Sequence, residues 1–221
     1  MTAKISSARI AGVVLCGGQS RRMGLAKATL PFGPETMLAR TVRLLSQVLD
    51  KVVVVSAAGQ TLPLLPTNVR ICVDEREDSG PLEGLRVGLT AIQSMADAAF
   101  VTGCDTPLLV SAFVTRAIEL LGEHDAAAPK IDGFYHPLAA VYRTTVLPEI
   151  HSLIAAGQMR LTDLFDRVST RDLTEAELRA VDPQLDTLRN LNRPEDYLAA
   201  LAAAGFDSDP AILRLLSTGE V

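Results

Sequence analysis

The sequence lacks the features that mark several large classes of protein. Its three cysteines, Cys16, Cys72 and Cys104, include no Cys-x-x-Cys pair, so they predict small buried residues rather than a zinc site. No apolar run approaches the roughly 20 residues that span a bilayer, and residues 1–7 lack the apolar core of a signal peptide. We therefore expect a cytoplasmic protein that has no membrane partner.

An excess of positive charge is also absent. The 221 residues carry a formal net charge of −5 at pH 7. Because sequence-independent nucleic-acid binding depends on basic surfaces, we expect no nucleic-acid partner. The hydrophobic content of 48% is ample for one sizeable core in a chain of this length. We expect a single domain over residues 1–206, followed by a C-terminal tail over residues 207–221.

Apolar strand patterns alternate with helical patterns along the chain. Strands are predicted over residues 10–15, 51–55, 69–73, 98–103, 125–131 and 135–141. Helices are predicted over residues 37–49, 81–95, 111–121, 145–155, 161–168 and 194–204. The continuous run of valines at 52–55 is typical of a strand that is buried on both faces of a parallel sheet. This alternation predicts an α/β fold with three layers, α-β-α, around a mainly parallel sheet.

The first predicted strand leads into a loop that is rich in glycine and basic residues. Glycines in such a loop let backbone N–H groups approach a polyanion closely. Arg21, Arg22 and Lys27 supply the positive charge that a triphosphate requires. The spacing is not the Gly-x-Gly-x-x-Gly of a dinucleotide site, and no Gly-Lys-Ser/Thr follows as in a Walker A loop. The loop therefore predicts a nucleotide-binding site of another kind.

Two aspartates follow the ends of later strands. Asp74 ends the third predicted strand, and Asp105 comes directly after the fourth. Ligands bind beyond the carboxyl ends of the strands in such sheets, so both carboxylates are expected beside the glycine-rich loop. Asp105 is the candidate Mg²⁺ ligand, because this ion takes oxygen ligands together with substrate phosphates. The alternative is that Asp105 only forms the turn before Pro107.

The loop belongs to a longer pattern that a known family shares. Residues 15–27 resemble the Leu-x-Gly-Gly-x-Ser-x-Arg-Met-Gly-x-x-Lys signature of the molybdenum cofactor guanylyltransferases. Four further segments resemble that family's motifs in the same order: Gly-Pro-Leu-x-Gly at 80–84, Cys-Asp-x-Pro at 104–107, His-Pro-x-x-Ala at 136–140 and Asn-x-Asn-x-Pro-Glu-Asp at 190–196. The resemblance covers most of the chain. It implies a Rossmann-like nucleotidyltransferase fold of the glycosyltransferase-A-like type.

The resemblance also implies which residues bind the nucleotide. Leu15, Gly17 and Gly18 would line the guanine and sugar end of GTP. Asp74 would contact the nucleoside, and Gly84 lies in the segment that would shape the base pocket.

The residues implied in catalysis are Arg22, Lys27 and Asp105. Arg22 and Lys27 would hold the phosphates, with Arg21 as a further contributor, and Asp105 would hold Mg²⁺. His136 is interpreted as a turn or core residue, since nucleotidyl transfer relies mainly on positioning and charge neutralisation.

A second substrate needs contacts of its own. The resemblance implies that Asn190 and Asn192 face this substrate or the metal. The alternative is that these asparagines cap the helix that begins near Pro194. Arg160 is the candidate basic contact for an anionic pterin.

The activity that the resemblance implies is Mg²⁺-dependent transfer of GMP from GTP to molybdenum-molybdopterin, which forms the guanine dinucleotide cofactor and pyrophosphate. The alternatives are a cytidylyltransferase that uses CTP, a related sugar- or lactyl-phosphate nucleotidyltransferase, and a GTP-binding regulatory or adaptor protein. We expect a monomer whose partners are GTP and molybdenum-molybdopterin, with transient contact to molybdenum-insertion proteins or molybdoenzyme chaperones.

Four residues depart from the family pattern. Cys16 and Ala26 stand where the family commonly has alanine and an acidic residue, and Ala57 and Ala58 stand where it often has asparagine. These departures bear on the fine contacts to the nucleoside rather than on the reaction class.

Overall fold

A computed structural model describes residues 9–17, 26–74, 76 and 80–209 of the chain. One eight-stranded sheet lies at its centre, with the strand order β10-β7-β9-β6-β1-β4-β5 and with β8 added to β7. The strands of this sheet are β1 (Ile10–Leu15), β4 (Val52–Ala57), β5 (Arg70–Asp74), β6 (Ala98–Gly103), β7 (Ala126–Ile131), β8 (Phe134–Tyr135), β9 (Ala139–Arg143) and β10 (Thr170–Leu173). The short strands β2 (Pro31–Phe32) and β3 (Glu35–Thr36) form a separate hairpin.

Most strands of the large sheet run parallel. Parallel pairs join β1 to β4, β1 to β6, β4 to β5 and β10 to β7. The exception at the centre is β9, which pairs antiparallel with both β6 and β7. Because both of these neighbours are antiparallel to β9, β7 runs in the same direction as β6 and β1. The carboxyl ends of β1, β4, β5, β6, β7 and β10 therefore meet at one edge of the sheet.

Helices cover both faces of the sheet, which confirms the predicted three-layer α/β fold. Successive side chains of β1 point to opposite faces, so Val13 and Val14 belong to different cores. The helices are α1 (Met37–Leu45), α2 (Gly80–Ile92), α3 (Ser111–Leu120), α4 (Leu147–Ala155), α5 (Glu175–Arg179) and α6 (Pro194–Ala203). Residues of α2 and α4 pack with Val13, whereas residues of α1, α3 and α5 pack with Val14. Single turns of 3-10 helix occur at Lys27–Thr29, Thr144–Val146, Leu161–Leu164 and Asp186–Leu188.

A third, smaller core joins the end of the domain to its beginning. Phe32 of the hairpin packs edge-on against Tyr197 of α6 and against Phe206. The Tyr197 hydroxyl donates to the carbonyl of Pro31. This contact fixes α6 beside the hairpin that follows the glycine-rich loop.

Some predicted elements differ from the observed ones. The strand predicted over 135–141 is wrong as one element, because the turn at 136–138 divides it into β8 and β9. The helix predicted over 161–168 is only the 3-10 turn Leu161–Leu164. Within the described residues, no helix is both long and apolar enough to cross a membrane. Of the predicted tail, residues 210–221 lie outside the described part of the chain.

Candidate active site

The centre of the candidate site is one hydrogen-bonded cluster at the carboxyl edge of the sheet. Lys27, Asp105 and Asn192 come from three distant parts of the sequence. The Lys27 Nζ atom donates to Asp105 Oδ2 at 2.8 Å and to Asn192 Oδ1 at 2.8 Å. The Lys27 and Asp105 side chains are 15% and 19% exposed, so the ion pair is largely withdrawn from solvent but still accessible from one side. The structure thus brings together a cation, a carboxylate and an amide oxygen.

The backbone of the 190–196 segment is tied to the same loop. The N–H of Leu191 donates to the carbonyl oxygen of Asp105 at 3.1 Å, and the Leu191 side chain is buried in the third core. This pairing sets Asn192 beside Asp105. Among the side-chain hydrogen bonds of the described residues, none involves Asn190, which is exposed on the same loop.

Two alternative interpretations of these residues are wrong. Asn192 does not cap α6, because it lies one residue before the N-cap Arg193 and its side-chain oxygen accepts from Lys27. The turn after β6 is closed by Thr106, whose hydroxyl donates to the carbonyl of Gly103 at 2.9 Å. The carboxylate of Asp105 is directed to Lys27 instead.

The loop that carries Asp105 is held from both sides. A Cβ atom on Gly103 would lie 2.4 Å from Asp105 Oδ1, so the carboxylate occupies space that only glycine leaves open. From the opposite side, Arg40 Nε of α1 donates to the carbonyl of Pro107 at 2.7 Å. The guanidinium of Arg40 lies over the rings of Phe32 and Phe206, at 5.1 and 5.4 Å from their centroids. Neither Gly103 nor Arg40 is identified by the sequence motifs.

The predicted nucleoside side of the site lies across β1, β4 and the start of α2. The Leu15 side chain lies against Gly84, where a Cβ would be 3.4 Å from Leu15 Cδ1. Gly17 is exposed, and a Cβ there would be 3.7 Å from the Ala57 nitrogen at the end of β4. Asp74 ends β5, and its Oδ1 accepts from the Arg76 N–H at 3.0 Å. These residues follow the same edge of the sheet as Asp105.

Gln60 is a contributor that the sequence analysis missed. Its Nε2 donates to the Cys16 carbonyl at 2.8 Å, and its Oε1 accepts from the Ala57 N–H at 3.0 Å. Gln60 therefore joins the ends of β1 and β4 where the glycine-rich loop starts. A glutamine in an irregular segment gives no periodic signal from which this contact could be predicted.

The remaining predicted residues fall into two groups. Gly18, Arg21 and Arg22 lie outside the described residues. Arg160 is exposed and begins the 3-10 turn Leu161–Leu164. Its neighbour Met159 has its carbonyl oxygen 3.8 Å from the position of a Cβ on Gly80, which places this loop beside the start of α2.

Two buried cysteines directly precede predicted site residues in the sequence. Cys16 and Cys104 follow neighbouring strands, and the Cys104 N–H donates to the Leu15 carbonyl at 3.0 Å. A hydrogen bond from Cys16 and burial raise the pKa of the Cys104 thiol well above its ordinary value. Both thiols pack in the apolar core with Val14. This agrees with their interpretation as small core residues.

The donor set fits a magnesium ion that substrate phosphates help to bind. Asp105 Oδ2 and Asn192 Oδ1 both accept from the Lys27 ammonium group, so two oxygen ligands of the kind Mg²⁺ prefers lie close together. No group of three or more His, Cys, Asp or Glu side chains that could hold a metal occurs within the described ranges. The described residues therefore do not form a site that could coordinate Mg²⁺ with protein ligands alone. In nucleotide enzymes Mg²⁺ is usually bound by one or two protein ligands together with the substrate phosphates.

Comparisons with known proteins identify the family of the chain. Residues 12–173 match the family described as MobA-like NTP transferase domain. A probable molybdenum cofactor guanylyltransferase of Methanosarcina acetivorans is 38% identical over 196 residues, which cover 83% of this chain and 86% of that protein. The corresponding protein of Mycobacterium avium is 38% identical, with 90% and 98% covered.

Solved structures share the fold. The crystal structure of molybdopterin-guanine dinucleotide biosynthesis protein A from Archaeoglobus fulgidus has a TM-score of 0.73 to this chain, at 20% sequence identity, and covers 88% of this chain and 98% of its own. The match confirms the nucleotidyltransferase fold that the sequence motifs implied. The chain belongs to the MobA-like NTP transferases, the family of the molybdenum cofactor guanylyltransferases, and is a nucleotidyltransferase.

Proposed function

We propose that the protein transfers GMP from GTP to molybdenum-molybdopterin, with Mg²⁺ as the metal, and releases pyrophosphate. The observation that carries the proposal is the cluster of Lys27, Asp105 and Asn192. The names of the relatives, which are 38% identical over most of the chain, support guanine as the base.

The proposed reaction needs no protein nucleophile. A terminal phosphate oxygen of the pterin attacks the α-phosphorus of GTP, and the bond from that phosphorus to the bridging oxygen of the β-phosphate breaks. Lys27 has three N–H donors, of which Asp105 and Asn192 take two, so one is left for a phosphate oxygen. Charge neutralisation by fixed groups is the main contribution to catalysis of this class.

Asp105 and Asn192 would hold Mg²⁺, which neutralises phosphate charge when it is bound. Arg22 would add a cation on the phosphates. Leu15, Gly17, Gly18, Asp74 and Gly84 would bind the nucleoside half. Asn190 and Arg160 would face the pterin.

Substitution of Asp105 tests the proposal. GTP or CTP is supplied with molybdenum-loaded pterin and Mg²⁺, the product is identified by mass, and pyrophosphate release is followed. We expect the guanine dinucleotide from the wild type and a loss of at least about a hundredfold in kcat for Asp105→Ala, since removal of one fixed electrostatic contact costs that much in other enzymes. Asp50→Ala is the matched control, because Asp50 is exposed at the opposite edge of the sheet, before β4.

Each other outcome identifies an alternative. Full activity of Asp105→Ala would contradict the mechanism. A cytosine dinucleotide would indicate the cytidylyltransferase, and stoichiometric GTP binding without pyrophosphate release would indicate a regulatory or adaptor protein.

A further inference from the structure

A second polar cluster lies at the same edge of the sheet, away from Asp105. Lys130 Nζ is 3.0 Å from Asp172 Oδ2 and 3.3 Å from the Tyr135 hydroxyl, and that hydroxyl donates to Asp172 Oδ1 at 2.7 Å. The ammonium also lies 4.6 Å from the centroid of the Tyr135 ring. Tyr135 is itself fixed, since its ring packs against Phe165 at a centroid distance of 4.5 Å. None of these residues has a role in the site described above.

The register of the sheet places Lys130 level with the start of the loop that carries Asp105. Phe100 of β6 pairs with Val141 of β9, and Val141 pairs with Ala127 of β7. Lys130 lies three residues after Ala127 in β7, and Gly103 lies three residues after Phe100 in β6. Because β6 and β7 run in the same direction, Lys130 is level with Gly103, which is two residues before Asp105. Two strand spacings separate them, which is about 10 Å.

The cluster also lies on the face of the sheet to which Leu15 points. Side chains alternate along β7, so Lys130 points to the same face as Ala126 and Ala128, which pack in one core with Leu15. Gly84 of α2 contacts Leu15 on this face. Lys130, the Leu15–Gly84 contact and the end of β6 therefore share one face and one edge.

The remaining half of this edge carries none of the proposed nucleoside contacts. The proposed nucleoside contacts occupy the strands from β1 to β5, and Asp105 follows β6 at the centre. The half that consists of β9, β7 and β10 is left for the substrate that accepts the nucleotidyl group. Lys130 is a cation that the structure holds in that half, at the carboxyl end of β7.

The Lys130 side chain is both positioned and open. Two of its three N–H donors are used by Asp172 and Tyr135, and 37% of the side chain remains exposed. Asp172 is 44% exposed, and ion pairs so exposed contribute little to stability. A lysine held in one orientation with a remaining donor is suited to bind an anionic oxygen.

We propose that Lys130 binds the anionic, phosphorylated acceptor substrate, and that Tyr135 and Asp172 are positioning residues that orient its ammonium group. The inference rests on the proposed function and extends it, because it separates the two substrates along the sheet edge. Lys130 then contributes to acceptor affinity and not to GTP binding.

The test compares Lys130→Gln, Lys130→Arg and Lys51→Gln in the full chain. Lys51 is the matched control, because it is an exposed lysine that precedes β4 at the opposite edge of the sheet. KM and kcat are measured for molybdenum-molybdopterin at saturating GTP, and GTP binding is measured separately by calorimetry. Thermal unfolding of each variant verifies that it is folded.

We expect Lys130→Gln to raise the acceptor KM roughly tenfold or more, which is the usual effect of losing one hydrogen bond to a charged group. GTP affinity should be unchanged, Lys130→Arg should recover most of the acceptor affinity, and Lys51→Gln should match the wild type. Product from the wild type together with an unchanged acceptor KM in Lys130→Gln would overturn this inference alone. Absence of product from the wild type would overturn the proposed function and this inference with it.

Discussion

At the scale of single residues, the position of the Asp105 carboxylate depends on a missing side chain. A methyl group on Gly103 would lie 2.4 Å from Asp105 Oδ1. We therefore predict that Gly103→Ala displaces the carboxylate from Lys27 and lowers kcat by about a hundredfold, as small displacements in active sites do. Steady-state kinetics of the purified variant measures this effect.

Gly12→Ala separates a local effect from a general loss of stability. Gly12 lies in β1, away from the carboxyl edge, and a Cβ there would be 3.3 Å from Leu45 and Leu49 side-chain carbons. This variant should lose some stability yet keep wild-type kcat per folded molecule. A Gly103→Ala enzyme with unchanged kcat would show that the carboxylate tolerates the displacement.

The sequence allows some of the site to be predicted. Asp105 follows from the strand-end rule, and Lys27 follows from its glycine-rich loop. Asn192 was identified only through the family motif, because its contact with Lys27 spans 165 residues and no local pattern encodes it. Gln60 and Arg40 act through contacts to backbone carbonyls of distant loops, which leave no trace in spacing or composition.

At the scale of secondary-structure elements, two glycines of α2 allow this helix to pack closely against β1. A Cβ on Gly88 would lie 2.5 Å from Val13 Cγ1, whereas a Cβ on Gly84 would lie 3.4 Å from Leu15 Cδ1. We predict that Gly88→Ala lowers the free energy of unfolding by about 1–3 kcal/mol through overpacking. Gly84→Ala should be neutral or stabilising by up to about 1 kcal/mol, because alanine favours the helix.

Urea denaturation of the two variants provides the measurement. They form a matched pair, since both exchange a buried glycine for alanine in the same helix, one turn apart. Equal stabilities would show that α2 can move away from β1 without cost. The kinetics of Gly84→Ala additionally report on the proposed base pocket, because the new methyl group would lie at Leu15.

The elements that the sequence predicted best are the buried ones. β1, β4 and β6 are continuous apolar runs, since helices cover them on both faces. The missed strand β10 reads Thr-Arg-Asp-Leu and is only partly buried at the edge of the sheet, so neither apolar content nor alternation marks it. The β2-β3 hairpin has two residues in each strand, which is too short for a period to appear.

At the scale of the whole molecule, several carboxylates in different elements have lowered pKa values. A side-chain hydrogen bond from Arg43 lowers the pKa of Glu35, and one from Arg86 lowers the pKa of Glu83. Backbone hydrogen bonds from Thr174 and Arg9 do the same for Glu177 and Asp97. Folding therefore favours the deprotonated form at each position, and the folded state binds fewer protons than the unfolded state at acid pH.

We predict that stability is fully present above the ordinary glutamate pKa of 4.5 and decreases as the pH falls through the lowered values in the folded state. Glu83 should contribute to this decrease, because its side chain is 1% exposed and lies 2.7 Å from Arg86. Glu83→Gln should lower the free energy of unfolding by about 1–3 kcal/mol at pH 7, because a neutral amide replaces the carboxylate that accepts from Arg86. The difference in the free energy of unfolding between this variant and the wild type should shrink below pH 4.5, because protonation of Glu83 removes the same charge from the wild type. Urea denaturation of both proteins between pH 3 and pH 7 measures the two curves, and a difference that stays constant over that range would contradict an ionised Glu83 in the folded protein.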